Sequence, residues 1–311
     1  MKTRQRTLGT LFVISIGAVS ARADILYVSN YGDNTIAKVS GEGIVSIFAS
    51  SGLNRPLGLA FDAAGNLYAA NGGNNTIEKF TPDGIGSVFA SNNPSPNVVG
   101  PSGLAFDRAG SLYTTNNYYQ ANFGFTTVER FSSNGVGSYF SRIGYLPAGL
   151  AFDSAGNLYV TSYGGSTVEK VTPDGVRSVF ASDGVMQPTG LAFNVAGNLY
   201  VANGGHNNSI MRFTPDGVGS LFANAGLNSP NGLAFDSAGN LYVANAGDNT
   251  IKKFTSDGVG SVFASNGVNQ PGFLAFTNDA GVPLSLPVPE PTVGGLLAMG
   301  ALIQAFNRRR G

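Results

Sequence analysis

The stretch that decides the fold is PNGLAFDSAGNLYVANAGDNTIKKFTSDGVGSVFAS, which runs from Pro230 to Ser265. It contains four short apolar runs separated by segments rich in Asp, Asn, Gly and Ser. The runs are Gly232–Phe235, Leu241–Ala244, Thr250–Phe254 and Gly260–Ala264. Each run is too short to offset the nucleation cost of a helix, and its residues alternate with the period of a strand. The stretch therefore predicts four antiparallel strands joined by tight turns.

Near-copies of this unit fill the chain between its two ends. The tyrosine of the second run recurs at intervals of 41, 45, 46, 41 and 42 residues. The six tyrosines are Tyr27, Tyr68, Tyr113, Tyr159, Tyr200 and Tyr242. A four-stranded unit cannot bury both faces alone, and this period with four strands per unit is typical of propeller blades. The sequence therefore predicts an all-β, six-bladed β-propeller with four antiparallel strands per blade.

The two ends of the repeat region complement each other. The chain enters the repeats at a second strand, Ile25–Asn30, and leaves them with a lone first strand, Gly272–Thr277. Pairing these segments would complete the sixth blade from three N-terminal strands and one C-terminal strand. Because such pairing closes the ring and removes exposed sheet edges, we expect a closed propeller over residues 24–280.

The N-terminus has the three parts of a secretory signal peptide. Met1–Arg6 carries three basic residues, Leu8–Val19 is uncharged and mostly apolar, and Ala21-Arg22-Ala23 is an A-x-A cleavage site. The apolar part has 12 residues, too few to span a bilayer. Residues 1–23 are therefore predicted to be a signal peptide that directs export through the Sec pathway and is removed after Ala23.

Composition and charge exclude two classes of function. The chain has no cysteine, so it forms neither disulfides nor thiolate metal sites. It has 18 basic and 18 acidic residues, but seven basic ones lie outside the repeats. These seven are Lys2, Arg4, Arg6, Arg22, Arg308, Arg309 and Arg310. Without them 11 basic residues face 18 acidic ones, which disfavours nucleic-acid binding because phosphate neutralisation needs clustered Lys and Arg.

The C-terminus has a three-part order after a Pro-containing linker at residues 281–287. Residues 288–311 contain a Pro-Glu-Pro motif, an apolar segment Thr292–Phe306 and a terminal arginine cluster. The motif and the cluster comprise Pro289, Glu290, Pro291, Arg308, Arg309 and Arg310. As a helix the apolar segment would rise about 22 Å, short of the roughly 30 Å hydrocarbon core.

This order resembles the PEP-CTERM sorting signal of Gram-negative bacteria. The resemblance implies a short transmembrane helix, transient insertion in the inner membrane and processing by an exosortase-type sorting enzyme. It further implies a final place at the cell surface or in the extracellular matrix, in association with exopolysaccharide or biofilm.

The repeats carry a second resemblance, through the pattern P-x-G-L-A-F-D-x-A-G-N-L-Y-V-A-N-x-G-x-N-T-I. Over residues 24–277 they resemble NHL repeats and the gluconolactonase/regucalcin-like and virginiamycin-lyase-like six-bladed propellers. The resemblance implies the fold, but these families include lyases, lactonases and binding modules, so the function stays open.

An enzymatic function has few candidate residues. The lactonase-like resemblance implies a divalent ion in the central channel, with one ligand just before the glycine of the first strand. The residues at that position are Leu57, Ser102, Ala148, Thr189, Asn231 and Gly272. Only Asn231 fits, and a hard cation prefers several charged oxygens, so we expect no metal and no other cofactor. A channel-centred lyase or lactonase-like hydrolase that uses Asn231, Thr189 and the single histidine, His206, is the alternative.

Two polar series are assigned to turns. Four aspartates follow the first strand, where their carboxylates can cap the next turn. They are Asp62, Asp107, Asp153 and Asp236. Five asparagines end the second strand, with Ser162 in the remaining repeat. They are Asn30, Asn71, Asn116, Asn203 and Asn245. We expect each amide to cap its own Asn-x-Gly turn, and ligand contact by inward-pointing amides is the alternative.

The two interruptions of the repeat favour a binding function. Asn92–Gly100 and Asn117–Phe125 lengthen two loops, and the topology places both on one face of one blade. The predicted ligand-binding residues are the loop aromatics with Asn231 and His206, and packing of the loop on itself is the alternative. The loop aromatics are Tyr118, Tyr119, Phe123 and Phe125. We therefore predict a non-enzymatic binding or scaffold module with no catalytic residue, whose partner is an extracellular polysaccharide or surface protein; a purely structural matrix protein is a third possibility.

Overall fold

The computed structural model describes residues 24–91, 98–118, 126–205, 207–278 and 281–284. Within these ranges 24 strands form six antiparallel four-stranded sheets, the blades. The predicted signal peptide with Ala23, and the sorting segment with Pro289, Glu290, Pro291 and Arg308–Arg310, lie outside the described residues. Their roles therefore stay predictions.

The strands follow one another in chain order and fall into blades as predicted. Blade 1 takes β1 (Ile25–Asn30), β2 (Thr35–Val39) and β3 (Val45–Ala49). Blade 2 consists of β4 (Pro56–Phe61), β5 (Leu67–Asn71), β6 (Thr76–Phe80) and β7 (Gly86–Ser91). Blade 3 consists of β8 (Val98–Phe106), β9 (Leu112–Tyr118), β10 (Thr126–Phe131) and β11 (Gly137–Ile143). Blade 4 consists of β12 (Pro147–Phe152), β13 (Leu158–Ser162), β14 (Thr167–Val171) and β15 (Arg177–Ala181).

The last two blades complete the ring. Blade 5 consists of β16 (Pro188–Phe193), β17 (Leu199–Asn203), β18 (Ser209–Phe213) and β19 (Gly219–Ala223). Blade 6 consists of β20 (Pro230–Phe235), β21 (Leu241–Asn245), the 3-10 turn Ala246–Asp248, β22 (Thr250–Phe254) and β23 (Gly260–Ala264). The final strand, β24 (Pro271–Thr277), returns to blade 1.

Pairing between the two ends of the repeat region closes the propeller. β24 lies antiparallel to β1, with Leu274 opposite Val28 and Phe276 opposite Leu26. These four side chains are buried in one hydrophobic cluster with residues of blade 6. The predicted six-bladed architecture and its closure by a C-terminal first strand are therefore confirmed.

Glycine sets how closely the innermost strands of neighbouring blades approach. A Cβ added at Gly58 would lie 2.3 Å from the carbonyl oxygen of Ser102, in the next blade. A Cβ at Gly190 would lie equally close to the carbonyl oxygen of Asn231. Five inner strands have a glycine at this position, and the returning strand β24 has Phe273 there. The five are Gly58, Gly103, Gly149, Gly190 and Gly232. No real side chain tolerates the distances found at Gly58 and Gly190, so these two positions need the absence of a Cβ.

Aromatic rings fill the space between blades. Tyr27 of β1 makes edge-on contacts with Phe48 of its own blade and Phe61 of blade 2, each with ring centroids 5.0 Å apart. The other five blades repeat this triplet, and the last one joins Tyr242 to Phe276 on the returning strand. Edge-to-face pairs contribute about 0.5–1.5 kcal/mol beyond area burial. The repeated tyrosine that revealed the period is therefore the residue that joins the blades.

The glycine ring gives a first prediction. Gly58→Ala forces a methyl group into the backbone of blade 3, and overpacking of this kind costs about 1–3 kcal/mol. We expect the free energy of unfolding, measured by chemical denaturation, to fall by at least about 2 kcal/mol. Ser87→Ala, on the exposed edge of the same blade, is the control and should change it by less than about 0.5 kcal/mol. Equal stability of both variants would contradict the close approach.

Candidate functional site

The propeller has two unlike faces. One face, here called the upper face, carries the loops between second and third strands and the connections between blades. Asn30, the last residue of the second strand in blade 1, is opposite Thr35, the first residue of the third strand, and Pro271, the first residue of the inner strand. The turns after the first and third strands lie on the lower face. Each inner strand contacts the next around the propeller axis, and the upper end of this axis is here called the channel mouth.

The described ends of the two predicted insertions lie at the upper end of blade 3. Val98 pairs with Tyr118 and Val99 with Asn117, so β8 and β9 form a longer hairpin than in other blades. These ends agree with the predicted placement on one face and one blade, and the rest of both insertions lies outside the described residues. The predicted loop bounds are wrong at these four residues and at Gly100, because the antiparallel ladder extends past the usual strand ends before the chain diverges.

Most predicted binding residues lie outside the part of the chain that the structure describes. Tyr119, Phe123, Phe125 and His206 are all in this group, and Tyr118 is described only as the last residue of β9. Their roles stay predictions. Asn231 is described, and it lies half-buried at the upper end of β20.

Six residues surround the mouth of the channel, each directly after the proline of an inner strand. Five of them lie in a Pro-x-Gly sequence, and the sixth, Gly272, lies between Pro271 and Phe273. Their side chains are neutral, and no carboxylate is among them. The six are Leu57, Ser102, Ala148, Thr189, Asn231 and Gly272. Of the two residues proposed for chemistry, Thr189 is engaged: its Oγ1 donates to the carbonyl oxygen of Pro230 in the next blade at 2.8 Å. That hydroxyl joins blades 5 and 6 and is not placed as a nucleophile.

Hydroxyls one strand further out join other blades in the same way. Thr115 Oγ1 accepts a hydrogen bond from the Gly103 amide at 2.9 Å and donates to the Ala148 carbonyl at 2.8 Å. Ser29 bridges the Phe273 amide and the Leu57 carbonyl. These polar groups beside the channel therefore serve the contacts between blades.

The asparagines that end the second strands are buried and fully engaged. Asn203 Oδ1 accepts from the Met186 amide at 2.9 Å, and its Nδ2 donates to the Gly184 carbonyl at 2.9 Å and to Ser209 Oγ at 3.0 Å. Asn71 makes the same three contacts in blade 2. The expectation that each amide caps its own turn is therefore wrong in detail. Each one fixes the connection from the preceding blade, and burial excludes ligand contact in these two blades.

The aspartates on the lower face cap turns, as predicted. Asp62 Oδ1 accepts from the amides of Ala64 at 3.0 Å and Asn66 at 2.9 Å. Asp107 and Asp153 accept the same pair of bonds in their own turns. Burial, together with the nearby Asp107 carboxylate, raises the pKa of Tyr113 to about 12, so its phenol stays protonated at neutral pH.

Two tyrosines that sequence reasoning missed lie at the channel mouth. Tyr31 and Tyr163 directly follow the buried end of the second strand in blades 1 and 4, which are opposite each other in a ring of six. Gly204 is the equivalent residue of blade 5, and a Cβ added there would lie 2.6 Å from Thr189 Cγ2. A side chain at this position therefore packs against the mouth residue of its own blade. In blades 1 and 4 the mouth residues are Gly272 and Ala148, which leave room for a ring.

The sequence did contain a signal for these tyrosines. A large residue occurs after the second strand only where the mouth residue of the same blade is Gly or Ala, as far as the described side chains show. Leu57 and Thr189 are each paired with glycine, at Gly72 and Gly204. Comparing two columns of the repeat together, instead of one at a time, would have revealed this size complementarity.

The rim of the mouth is fixed in an unusual backbone conformation. In five blades the residue before the inner-strand proline has a positive φ, between 44° and 52°. These residues are Arg55, Leu146, Gln187, Ser229 and Gln270. The Arg55 amide donates to Asn34 Oδ1 of the preceding blade at 2.6 Å, and its guanidinium lies 5.9 Å from the Tyr31 ring centroid. Such strain persists only when surrounding contacts hold it, so the rim is pre-organised.

Neither a metal centre nor a membrane span is evident in the described ranges. No group of three or more His, Cys, Asp or Glu side chains there could hold a metal ion. No helix there has the length and hydropathy that crossing a bilayer requires.

Two blades contain a buried glutamate in the middle of the third strand, with different partners. Glu169 Oε2 accepts from the Gly144 amide at 3.0 Å and lies 3.6 Å from Arg177 Nε. Glu78, at the matching position, is 5% exposed and receives no hydrogen bond or ion pair from the described residues. Burial therefore raises the pKa of Glu78 above its usual value, because no partner offsets the loss of hydration.

Glu78 yields a prediction about pH and stability. The folded state raises the pKa of Glu78 above 4.5, so the folded state binds the proton more tightly than the unfolded chain does. This proton binding stabilises the fold fully below pH 4.5, and the stabilisation is lost as the pH rises through the raised pKa. Glu78→Gln should therefore increase the free energy of unfolding by about 1 kcal/mol at pH 7 and leave it unchanged near pH 4. Glu169→Gln is the matched control and should lower stability at pH 7, because it removes the ion pair with Arg177. Destabilisation by Glu78→Gln at pH 7 would contradict this reading.

The fold and the mouth define the class: the chain is a six-bladed β-propeller of four-stranded repeats. Residues 227–254 match the NHL repeat family, so the propeller carries an NHL repeat. No curated protein matches the sequence.

Several solved structures share this fold. A chain in the crystal structure of a nidogen/laminin complex superposes with a TM-score of 0.69 and 17% identity, covering 81% of this chain and 98% of that one. A gluconolactonase from Xanthomonas campestris gives 0.59 and 21%, covering 71% and 79%. Virginiamycin B lyase from Staphylococcus aureus gives 0.56 and 18%, covering 82% of each chain. At these identities the likeness shows the fold alone.

Proposed function

We propose that this protein is an exported, non-enzymatic binding module that takes a hydroxyl-rich ligand at its channel mouth. The observation that carries the proposal is the pre-organised rim with Tyr31 and Tyr163 on opposite blades. Aromatic rings supply apolar area at low entropic cost and present a polar group beside it, which suits sugars and protein surfaces. A rim that is already ordered loses little entropy on binding.

The chemistry of the neighbouring groups supports binding over catalysis. Thr189 and Ser29 hold blades together, and Asp62, Asp107 and Asp153 cap turns. These described hydroxyls and carboxylates therefore have structural partners. The half-buried Asn231 amide, which bonds no other described residue, is left to contact a ligand.

The place of action follows from the two termini. The signal peptide sends the protein through the Sec pathway, and the C-terminal segment engages an exosortase-type enzyme at the inner membrane. The module then acts at the cell surface or in the extracellular matrix of a Gram-negative bacterium. Its ligand there is an exopolysaccharide or a surface protein of the biofilm. These steps rest on the sequence resemblance and on the charge and hydropathy of the ends.

A glycan array with the purified protein tests the mouth. We expect binding of neutral glycans, and a loss of at least about tenfold in affinity for the Tyr31→Ala and Tyr163→Ala double variant. Leu221→Ala removes an exposed apolar side chain from the outermost strand of blade 5, away from both surfaces, and is the control. A Tyr118→Ala and Tyr119→Ala variant reports on the blade 3 extension. A blank array, or full binding by the Tyr31 and Tyr163 variant, would contradict the proposed site.

A lyase or lactonase-like hydrolase centred on the channel is the second candidate. It is favoured by the fold that this chain shares with gluconolactonase and virginiamycin B lyase, and its residues would be Asn231, Thr189 and His206. Elemental analysis together with a lactone-hydrolysis screen separates the two candidates. The binding module should show no stoichiometric divalent ion and no turnover. A bound ion with turnover that His206→Ala abolishes would establish the enzyme instead.

A further inference from the structure

A groove on the outer side of the ring, between blades 3 and 4, departs from the repeat. It has a volume of about 580 Å³, and Tyr139, Ser141, Arg142, Gly144, Gly175 and Arg177 line it. Tyr139 is 67% exposed and stands where the other outermost strands carry Ile, Val or Leu. The groove therefore combines an open aromatic ring with two arginines on a propeller that is otherwise acidic.

Arg177 is held in place from below. It opens β15 at a position where blades 2, 3, 5 and 6 have glycine and blade 1 has Val45. Its Nε contacts Glu169, whose side chain is 4% exposed, whereas the Arg177 side chain is 43% exposed. Glu169 is fixed in turn by the Gly144 amide, and a Cβ at Gly144 would clash with its carboxylate. A buried acid thus orients one edge of the guanidinium and leaves its remaining N–H groups available.

We propose that this groove binds carboxylate-bearing saccharides, that is, polyuronate chains. A guanidinium with two parallel N–H donors matches a carboxylate bidentately, and an adjacent aromatic ring offers a flat surface for a sugar ring. The backbone surfaces of Gly144 and Gly175 keep the groove open. The inference extends the binding role proposed above to a second surface that does not include the channel mouth.

An added peptide strand fits this groove less well. Ser141 Oγ donates to the Gly175 carbonyl of the neighbouring blade at 3.2 Å, so blade 4 already covers that end of the edge strand β11. β-Strand addition needs a free row of backbone groups. The groove therefore favours a ligand recognised by its side groups over an extended peptide.

The test compares binding of polygalacturonate, dextran and polyglutamate by isothermal titration calorimetry in 0.15 M salt, where distant charges are screened. The key variant is Arg177→Gly with Glu169→Met, which installs the Gly219 and Met211 pair of blade 5 and leaves no unpaired buried acid. Wild-type protein should bind polygalacturonate more tightly than dextran. The variant should bind polygalacturonate at least about tenfold more weakly than wild type does. Arg212→Ala removes the same charge from blade 5 and should stay within about twofold of wild type.

The outcomes separate this groove from the channel mouth. The Tyr31→Ala and Tyr163→Ala variant should keep its affinity for polygalacturonate. A loss of affinity in this variant would overturn the proposal that the groove binds polygalacturonate and would assign binding to the mouth. No binding by wild-type protein, undiminished binding by the Arg177 and Glu169 variant, or an equal loss in Arg212→Ala would each overturn the proposal. Polyglutamate that binds as tightly as polygalacturonate would show that the ligand class is wrong.

Discussion

The structure depends on the close approach of six inner strands around one axis. At Gly58 and Gly190 the neighbouring backbone comes so near that a single methyl group has no room. This approach fixes the diameter of the ring, and the tyrosine–phenylalanine contacts between blades can form only at that diameter. The last of these contacts joins Tyr242 to Phe276, so the ring closes only when the C-terminal strand has reached β1.

The same constraint decides where the chain is free to vary. Inner glycines, interblade tyrosines and the buried asparagines of blades 2 and 5 each contact a neighbouring blade or its connection, so the geometry of the ring restricts them. At three positions no such contact is shared by all the blades. They are the mouth residue, the residue after the second strand, and the residue in the middle of the third strand. Tyr31 and Tyr163 occupy the second of these positions, and Glu169 occupies the third. Departures from the repeat therefore mark surfaces that the fold leaves to function.

Much of the fold could be predicted from the sequence, because period and alternation follow directly from backbone geometry. The β1 and β22 bounds agree with the predicted runs, and the pairing of Ile25–Asn30 with the C-terminal strand was predicted from the unequal ends. The contacts of the asparagines and the tyrosines at the mouth were not predicted, for two physical reasons. The partner of Asn203 lies 17 residues earlier, across a blade boundary that local turn rules do not consider. The tyrosines at the mouth depend on the size of a residue one strand away.

Blades 3 and 4 show how a repeat array can depart from its pattern without losing its ring. Their inner strands retain Gly103 and Gly149, and their interblade rings contact in the same edge-on way as elsewhere. The changes lie on the upper end of the β8–β9 hairpin and on the outermost strands, which contact no further layer. A buried Glu169 without Arg177 would be an unpaired charge, and an exposed Arg177 without Glu169 would lose its orientation. Glu169 and Arg177 therefore stabilise each other, although Glu78 shows that the fold tolerates a buried glutamate without an arginine.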